Sequence, residues 1–325
     1  MAPGRHVGAG GVRRLALMTR PTWEDVPEGV RIAVEDTLGA RVVSWASQPG
    51  GFSPGTADRV VLADGRRAFV KAVAAAANPD TIGLHRREAR ILETLDGRGL
   101  PIARRLGVVD RGDWVALLIE DVAGYAPTWA RGETVAVLDA LLRLRDGAPD
   151  GAGLPRLADD VGLRIDAGVW QAPSGAPSPY EPGLTSWVAT HRDRLAEVTQ
   201  VGLAGLDGTA LVHGDLRADN VLIRPDGTAC LIDWPWATVG SRWFDAACLL
   251  ADVIYRRGGT DIEDLLGSHA ALRDAPDGLI AGFLACLAAY FTANAPRPAV
   301  PGIPGLRAFQ RDLGAAVLGW LRERL

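Results

Sequence analysis

The sequence predicts an α+β fold of two lobes. An N-terminal five-stranded antiparallel sheet carries one key helix, and a mostly helical lobe follows. Three observations point there. Short β-rich runs joined by Gly, Pro and Asp turns fill the stretch up to residue 121. Helical spacing of apolar residues dominates from residue 133 onward. Between the later helices lies one polar stretch, Ala210–Ala247, in which acids and an amide are spaced as a site rather than as scattered surface charge.

The elements follow in order. Trp23–Gly39 reads as an amphipathic helix with Val30, Ala33, Val34 and Leu38 on one side, ended by Gly39. Arg41–Trp45 alternates as a strand and runs into Gln48–Gly55, a Gly/Pro/Ser turn that includes Gly51 and Ser53. Ala57–Ala63 and Arg66–Val73 form a hairpin across a two-residue Asp64-Gly65 turn, which places Lys71 opposite Asp58. Asn78-Pro79 opens a helix whose apolar stripe (Leu84, Ile91, Leu92, Leu95) includes Glu88. Ile102–Val109 and Trp114–Ile119 complete the sheet, and Glu120–Gly124 leads out of it.

The second half reads as helices over Glu133–Asp146, Leu154–Ile165, Leu184–Val201, Ser241–Tyr255, Asp261–Ser268, Leu279–Ala293 and Leu306–Leu325. Gly168–Gly183, with four prolines, Trp170 and Tyr180, reads as a loop that either covers a substrate or merely connects. Domain bounds follow: residues 1–17 as a disordered extension, 18–121 and 122–325 as the two lobes.

Composition narrows the function. With 48% hydrophobic and 23% charged residues the chain is an ordinary globular one. Its net charge of −4 argues against a nucleic-acid binder. The N-terminal 124 residues hold 17 basic and 15 acidic side chains, the remainder 18 and 24, so the acidic half suits a cationic small-molecule acceptor. The longest apolar run, about 15 residues, is too short to span a bilayer. The first 17 residues lack an apolar signal segment. Three cysteines among apolar neighbours suit a reducing compartment. A cytoplasmic monomer or dimer without membrane or nucleic-acid partners is expected.

Two features carry chemistry. Lys71 is the chain's only lysine among 34 arginines, and a compact ammonium is not interchangeable with a planar guanidinium. Glu88 on a packing stripe needs a cation, so a Lys71–Glu88 pair is the economical arrangement. In the polar stretch, Val221–Arg224 and Ala229–Ile232 read as a hairpin over Pro225–Thr228. Arg224 opposite Ala229 places Asn220 opposite Asp233, with Asp215 nearby, an oxygen set that suits Mg2+.

His213-Gly214-Asp215-Leu216, then Asn220, then Ile232-Asp233-Trp234, resembles the catalytic and metal loops of the aminoglycoside phosphotransferase family, which has a protein-kinase-like fold. Arg217, Ala218 and Asp219 replace the His-Pro-x of the usual loop. The resemblance implies phosphoryl transfer from ATP (or GTP), with Mg2+, to a hydroxyl of a small-molecule acceptor. Asp215 would be the catalytic base, and Asn220 and Asp233 the metal ligands. Lys71, Glu88, Gly51, Ser53 and the backbone of Glu120 and Val122 would hold the nucleotide. His213 and Asp245 would brace the loop. Arg217, Trp236, Trp170 and Tyr180 are candidates for acceptor contact. The acceptor is expected to be an antibiotic of aminoglycoside, cyclic-peptide or nucleoside type. The alternatives are a choline- or sugar-type kinase and a non-catalytic nucleotide sensor.

Overall fold

The computed structural model describes residues 20–48, 54–77, 79–145, 153–159, 168–171, 178–259, 262–273, 275–276, 278–300 and 305–325. The sheet contains five antiparallel strands in the order β1-β2-β3-β5-β4. They are β1 (Val42–Ser47), β2 (Asp58–Leu62), β3 (Arg67–Ala74), β4 (Arg105–Asp110) and β5 (Trp114–Glu120). Helix α1 (Glu28–Leu38) lies against one face of this sheet, with Val30, Val34 and Leu38 packed on Val60, Ala68, Val70, Ala72 and Leu118. Alternation in β3 sends Val70 and Ala72 into that core and turns Phe69 and Lys71 to the other face. Helix α2 (Pro79–Leu95) packs on the Lys71 side, near β5. The expected first helix is thus split into a 3-10 turn, Trp23–Asp25, and α1, because Pro27 stands between them.

The hairpin register differs from expectation by one residue. Val61 pairs with Arg67 and Asp58 with Val70, so Asp58 shares a face with Val70 and not with Lys71. The turn takes three residues, Ala63-Asp64-Gly65, with Gly65 at φ +84°. That left-handed glycine is the usual close of a three-residue hairpin loop.

The second lobe consists of α3 (Arg131–Leu142), α4 (Pro182–Thr190), α5 (Arg192–Ala204), α6 (Phe244–Arg257), α7 (Ile262–Ser268), α8 (Ala270–Arg273), α9 (Leu279–Asn294) and α10 (Leu306–Arg322). Short ladders sit among them: β6 (Ala210–Val212) with β9 (Thr238–Gly240), and β7 (Val221–Ile223) with β8 (Ala229–Leu231). The single helix expected over Leu184–Val201 is two, α4 and α5, meeting at His191. Only a 3-10 turn, Leu157–Asp159, is described of the expected Leu154–Ile165 helix; residues 160–167 lie outside the described residues, as do residues 1–17. The apolar run becomes α9, whose Phe283, Leu284, Ala285 and Cys286 are buried against other helices. Among the described residues no helix is long and apolar enough to cross a membrane. A main-chain bridge from Ile102 to Leu231 ties the first lobe to the second, and another from Tyr125 to Ile223 ties the segment after β5 to the β7–β8 ladder.

Candidate active site

Lys71 is the hub. Its Nζ lies 2.6 Å from Glu88 Oε2 on α2 and 2.5 Å from Asp233 Oδ1 just beyond β8. One ammonium therefore serves two carboxylates. Burial opposes the charge on Lys71, but Asp233 and Glu88 outweigh it and hold the ammonium above its ordinary range. Burial also works against ionisation of Asp233, yet the Lys71 charge and hydrogen bond bring that carboxyl down to about 2. Glu88 is more deeply enclosed. Burial pushes its carboxyl up despite Lys71, and its second oxygen accepts the backbone N–H of Trp234 at 3.3 Å.

Asp233 reaches Lys71 by leaving the ladder. In β7–β8 Val221 pairs with Leu231, and the Ile232 N–H donates to the Asn220 carbonyl. Asn220 thus opposes Ile232, one residue short of the expected Asp233. Here the turn takes one residue fewer than expected, three rather than four, with Arg224 bonded to Thr228. Asp233 adopts φ +68°, a left-handed conformation that Asp tolerates better than most residues. The backbone kink, not strand register, directs its carboxylate.

The loop after β6 brings in Asp215. The Asn220 Nδ2 donates to the Asp215 carbonyl at 2.7 Å and to Asp215 Oδ2 at 3.0 Å. Both partners are acceptors, so the amide nitrogen must face them and Asn220 Oδ1 is left for a cation. Burial raises the Asp215 carboxyl, opposed by Arg217, whose Nε stands 3.6 Å from Oδ1. Arg217 also reaches toward Asp219 at 3.9 Å.

Beneath the loop, His213 is fully buried, and its ring meets the Trp234 indole edge-on at 4.6 Å. Its Nδ1 accepts the Asp215 N–H at 3.3 Å. That makes the neutral tautomer with Nε2–H, which donates to the Ile232 carbonyl at 2.9 Å. Asp245, in the first turn of α6, accepts the N–H groups of His213 (2.7 Å) and Gly214 (3.1 Å). Gly214 has φ +85°, and a Cβ there would stand 2.4 Å from the Trp236 carbonyl. Only glycine fits between the two loops.

The oxygens of Asp233, Asn220 and Asp215 fit a hard divalent cation that completes its shell with phosphate and water. Among the described residues no group of three His, Cys, Asp or Glu could hold a metal alone. At the other end of β5, Val122 N–H donates to the Glu120 carbonyl at 3.1 Å, so the two backbone groups expected at the base bond each other. Gly51 and Ser53 lie outside the described residues.

Two of the expected acceptor contacts are placed elsewhere. Trp170 sits in a 3-10 turn (Gly168–Gln171), buried in the helical core, with its indole N–H on Thr199 at 3.1 Å. Tyr180 is wedged beside Gly314 of α10, its hydroxyl 2.7 Å from Thr292 of α9. Both bury rings between helices, which accounts for them as packing residues. Trp236 is 48% exposed beside the Asp215 loop, where an acceptor contact is open to it.

Sequence reasoning missed four groups. Asp252, two turns after Asp245 on α6, accepts the Ala218 N–H of the loop and the Trp129 indole N–H, each at 2.8 Å. A carboxylate on the apolar side of α6 was its legible signal. His85, one turn before Glu88, is buried with its ring driven down to about 4 by that burial and is therefore neutral. Arg20 is half-buried within electrostatic reach of Asp233 and Asp58, and burial lowers its affinity for the proton. Asp121 is held by two strand arginines. Of these three, only the sequence position of Asp121 gave a hint, beside the expected base-binding segment.

A search of curated proteins finds no match. Similar solved structures include an aminoglycoside phosphotransferase from Alicyclobacillus acidocaldarius, 19% identical, covering 87% of this chain and 93% of that one with a TM-score of 0.52. Spectinomycin phosphotransferase APH(9)-Ia, in complex with ADP and spectinomycin, is 10% identical over 92% and 98% of the two chains, with a TM-score of 0.60. Macrolide 2'-phosphotransferase MphH from Brachybacterium faecium is 18% identical over 90% and 98%, with a TM-score of 0.55. At these identities the likeness establishes the kinase-like two-lobed fold. The phosphotransferase enzyme family model matches residues 51–281, more than half of the chain and every residue from Lys71 to Asp252 discussed above, so the chain belongs to the phosphotransferase enzyme family (APH).

Proposed function

We propose that this protein transfers the γ-phosphoryl group of ATP or GTP to a hydroxyl of a small molecule. The observation that carries the reading is Lys71 bridging Glu88 and Asp233, with Asp215 and Asn220 locked together beside them. Lys71, fixed by Glu88, positions the α- and β-phosphates. Asn220 and Asp233 are the residues that would hold Mg2+, which supplies charge neutralisation on the phosphate oxygens. Asp215 orients the acceptor hydroxyl and takes its proton. The neutral His213 and the carboxylate of Asp245 hold the loop and exchange no proton with substrate. Because the transition state is loose, positioning and charge neutralisation supply most of the rate.

The acceptor class we favour is an amino-bearing antibiotic of aminoglycoside, cyclic-peptide or nucleoside type, which gives a resistance role. The acidic second half of the chain supports it. So does the spectinomycin enzyme of like fold, which holds ADP and an antibiotic. Trp236 and Arg217 border the Asp215 loop and are the acceptor contacts this reading retains.

The test is NTP consumption with Mg2+ across aminoglycosides, cyclic peptides, macrolides, nucleoside antibiotics, choline and sugars, run beside Asp215→Asn. Acceptor-dependent turnover in the wild type and none in the variant identifies chemistry and substrate class together. Turnover only with choline or a sugar replaces the antibiotic reading with a metabolic one. Nucleotide binding with no acceptor-stimulated turnover leaves a non-catalytic role.

A further inference from the structure

The face of the sheet that carries Lys71 also carries Arg59. Arg59 of β2 pairs with Phe69 of β3, and Phe69 pairs with Ile119 of β5. These three share one face, because directly opposed residues point the same way. Lys71 lies one pleat repeat along β3, opposite Leu117 of β5. The row Arg59–Phe69–Ile119 is therefore displaced by about 7 Å from the ammonium toward Glu120–Val122, the segment where β5 leaves the sheet.

The Arg59 side chain follows that direction. Its Nη2 donates to the Val122 carbonyl at 3.4 Å, and its Nε stands 3.3 Å from Asp121 Oδ1. The second oxygen of Asp121 accepts Arg67 Nε at 2.7 Å. The Asp121 carboxylate is 2% exposed, whereas the Arg67 side chain is 54% exposed. The Arg59–Asp121 contact is a charge contact without hydrogen-bond alignment: both atoms are buried and neither has a hydrogen-bond partner among the described residues. A planar guanidinium is thus pinned by charge beside the segment's backbone, and its Nε–H is unspent.

Resting on the nucleotide reading above, we propose that Arg59 is a specificity-determining residue: its guanidinium, anchored by Asp121, roofs the nucleobase. A nucleotide with its phosphates at Lys71 and its base at Glu120–Val122 passes beneath Arg59 and Phe69. A guanidinium plane over an aromatic face adds cation–π attraction to stacking, favouring a large purine over a pyrimidine. Asp121 acts as a positioning residue, and Arg67 neutralises the rest of its charge from the rim.

Calorimetric binding of Mg2+ with ATP, and of Mg2+ with inorganic tripolyphosphate, separates base from phosphate contacts. Arg59→Leu is expected to weaken ATP about tenfold, the scale of one desolvated cation–π contact, and to leave tripolyphosphate unchanged. Arg59→Lys keeps the charge without the plane and is expected to weaken ATP while sparing tripolyphosphate; it carries the test if circular dichroism shows that Arg59→Leu does not fold. Arg67→Leu removes the rim partner of the buried Asp121 carboxylate, which Arg59 still neutralises, and is expected to weaken ATP less than Arg59→Leu does and to leave tripolyphosphate unchanged. Equal losses for both ligands, unchanged ATP affinity in the Arg59 variants, or an Arg67→Leu loss as large as that of Arg59→Leu would overturn the proposal. A wild-type protein that binds neither ligand overturns the nucleotide reading itself, and one that binds tripolyphosphate but not ATP overturns the roof alone.

Discussion

Asp245 and Asp252 project from the same side of α6, seven residues apart, and both grip the backbone of the Asp215 loop. Asp245 takes the N–H groups of His213 and Gly214, and Asp252 takes that of Ala218. Seven residues are close to two turns, so one helix face presents two acceptors spaced to match a loop that runs along it. The loop holds its shape because its donors are satisfied from below, which leaves its side chains free for the cleft.

Asp252 also anchors Trp129, which adopts φ +62°, and Arg256, whose Nε lies 3.0 Å from it. Replacing Asp252 with Ala orphans two buried N–H donors and uncouples Arg256 from its nearest carboxylate. The expected loss is about 3 kcal/mol of folding stability, read from urea denaturation. Asp252→Asn keeps one acceptor oxygen and should lose about half as much. In both variants kcat should fall more than KM rises, because the loop's geometry loosens while the nucleotide contacts stay.

Asp215→Asn should separate function from folding. Turnover is expected to fall by roughly 10^3 or more, the scale of a lost general base that also orients its substrate. Stability should not fall with it. Burial raises the folded-state carboxyl above its ordinary value, so at neutral pH the ionised group opposes folding. The neutral amide removes that cost, and the variant's urea midpoint at pH 7 should equal or exceed the wild type's. The same raised value sets the acid limb of the rate profile: kcat/KM should rise with pH through a midpoint above the ordinary aspartate value of 3.8 and level off once Asp215 is ionised.

How much of this was legible before the structure follows from what residue types can encode. Lys71 and Glu88 were findable because each is chemically costly where it stands, a lone lysine and an acid on an apolar stripe. Asp215, Asn220 and Asp233 were findable instead from their order and spacing within one polar stretch. The two hairpin registers were each displaced by one residue, because a Gly in the turn signals a turn without fixing how many residues close it. In β7–β8 that displacement would have sent Asp233 away, had φ +68° not bent the chain back. Asp252 showed only as a carboxylate on the apolar side of a helix; its partners, the Ala218 N–H and the Trp129 indole N–H, are far away in sequence, where no local pattern reports them. Trp170 and Tyr180 misled for the converse reason: prolines around them read as an open loop, while Thr199, Thr292 and Gly314 hold them in the helical core.

Acid should unfold the protein partly through Asp233. Its folded-state value of about 2 lies below the ordinary 3.8, so the stabilisation it contributes is complete above 3.8 and is lost as pH falls from there toward 2. Glu88 runs the opposite way, since its raised carboxyl favours the protonated fold and offsets part of that loss. Urea midpoints measured between pH 2 and pH 5 should therefore fall less steeply in Asp233→Asn than in the wild type. Parallel slopes would show that Lys71 does not depress this carboxyl.

Lys71→Arg is expected to fail, although it keeps the charge. The ammonium is held at 2.5 and 2.6 Å between a carboxylate on a kinked loop and another enclosed on α2. A guanidinium is wider, and its donors point in fixed planar directions, so it cannot meet Asp233 and Glu88 from the same spot on β3. Val70 and Ala72 on either side are fully buried, which leaves the strand no freedom to retreat. Steady-state kinetics should show at least a hundredfold loss in kcat/KM for the nucleotide, roughly the 3 kcal/mol scale of a buried pair broken at one end. Glu88→Gln alone should cost less, because Asp233 still holds the ammonium. An arginine variant within about threefold of wild type would mean that only charge, and not the shape of the cation, is read at this point on β3.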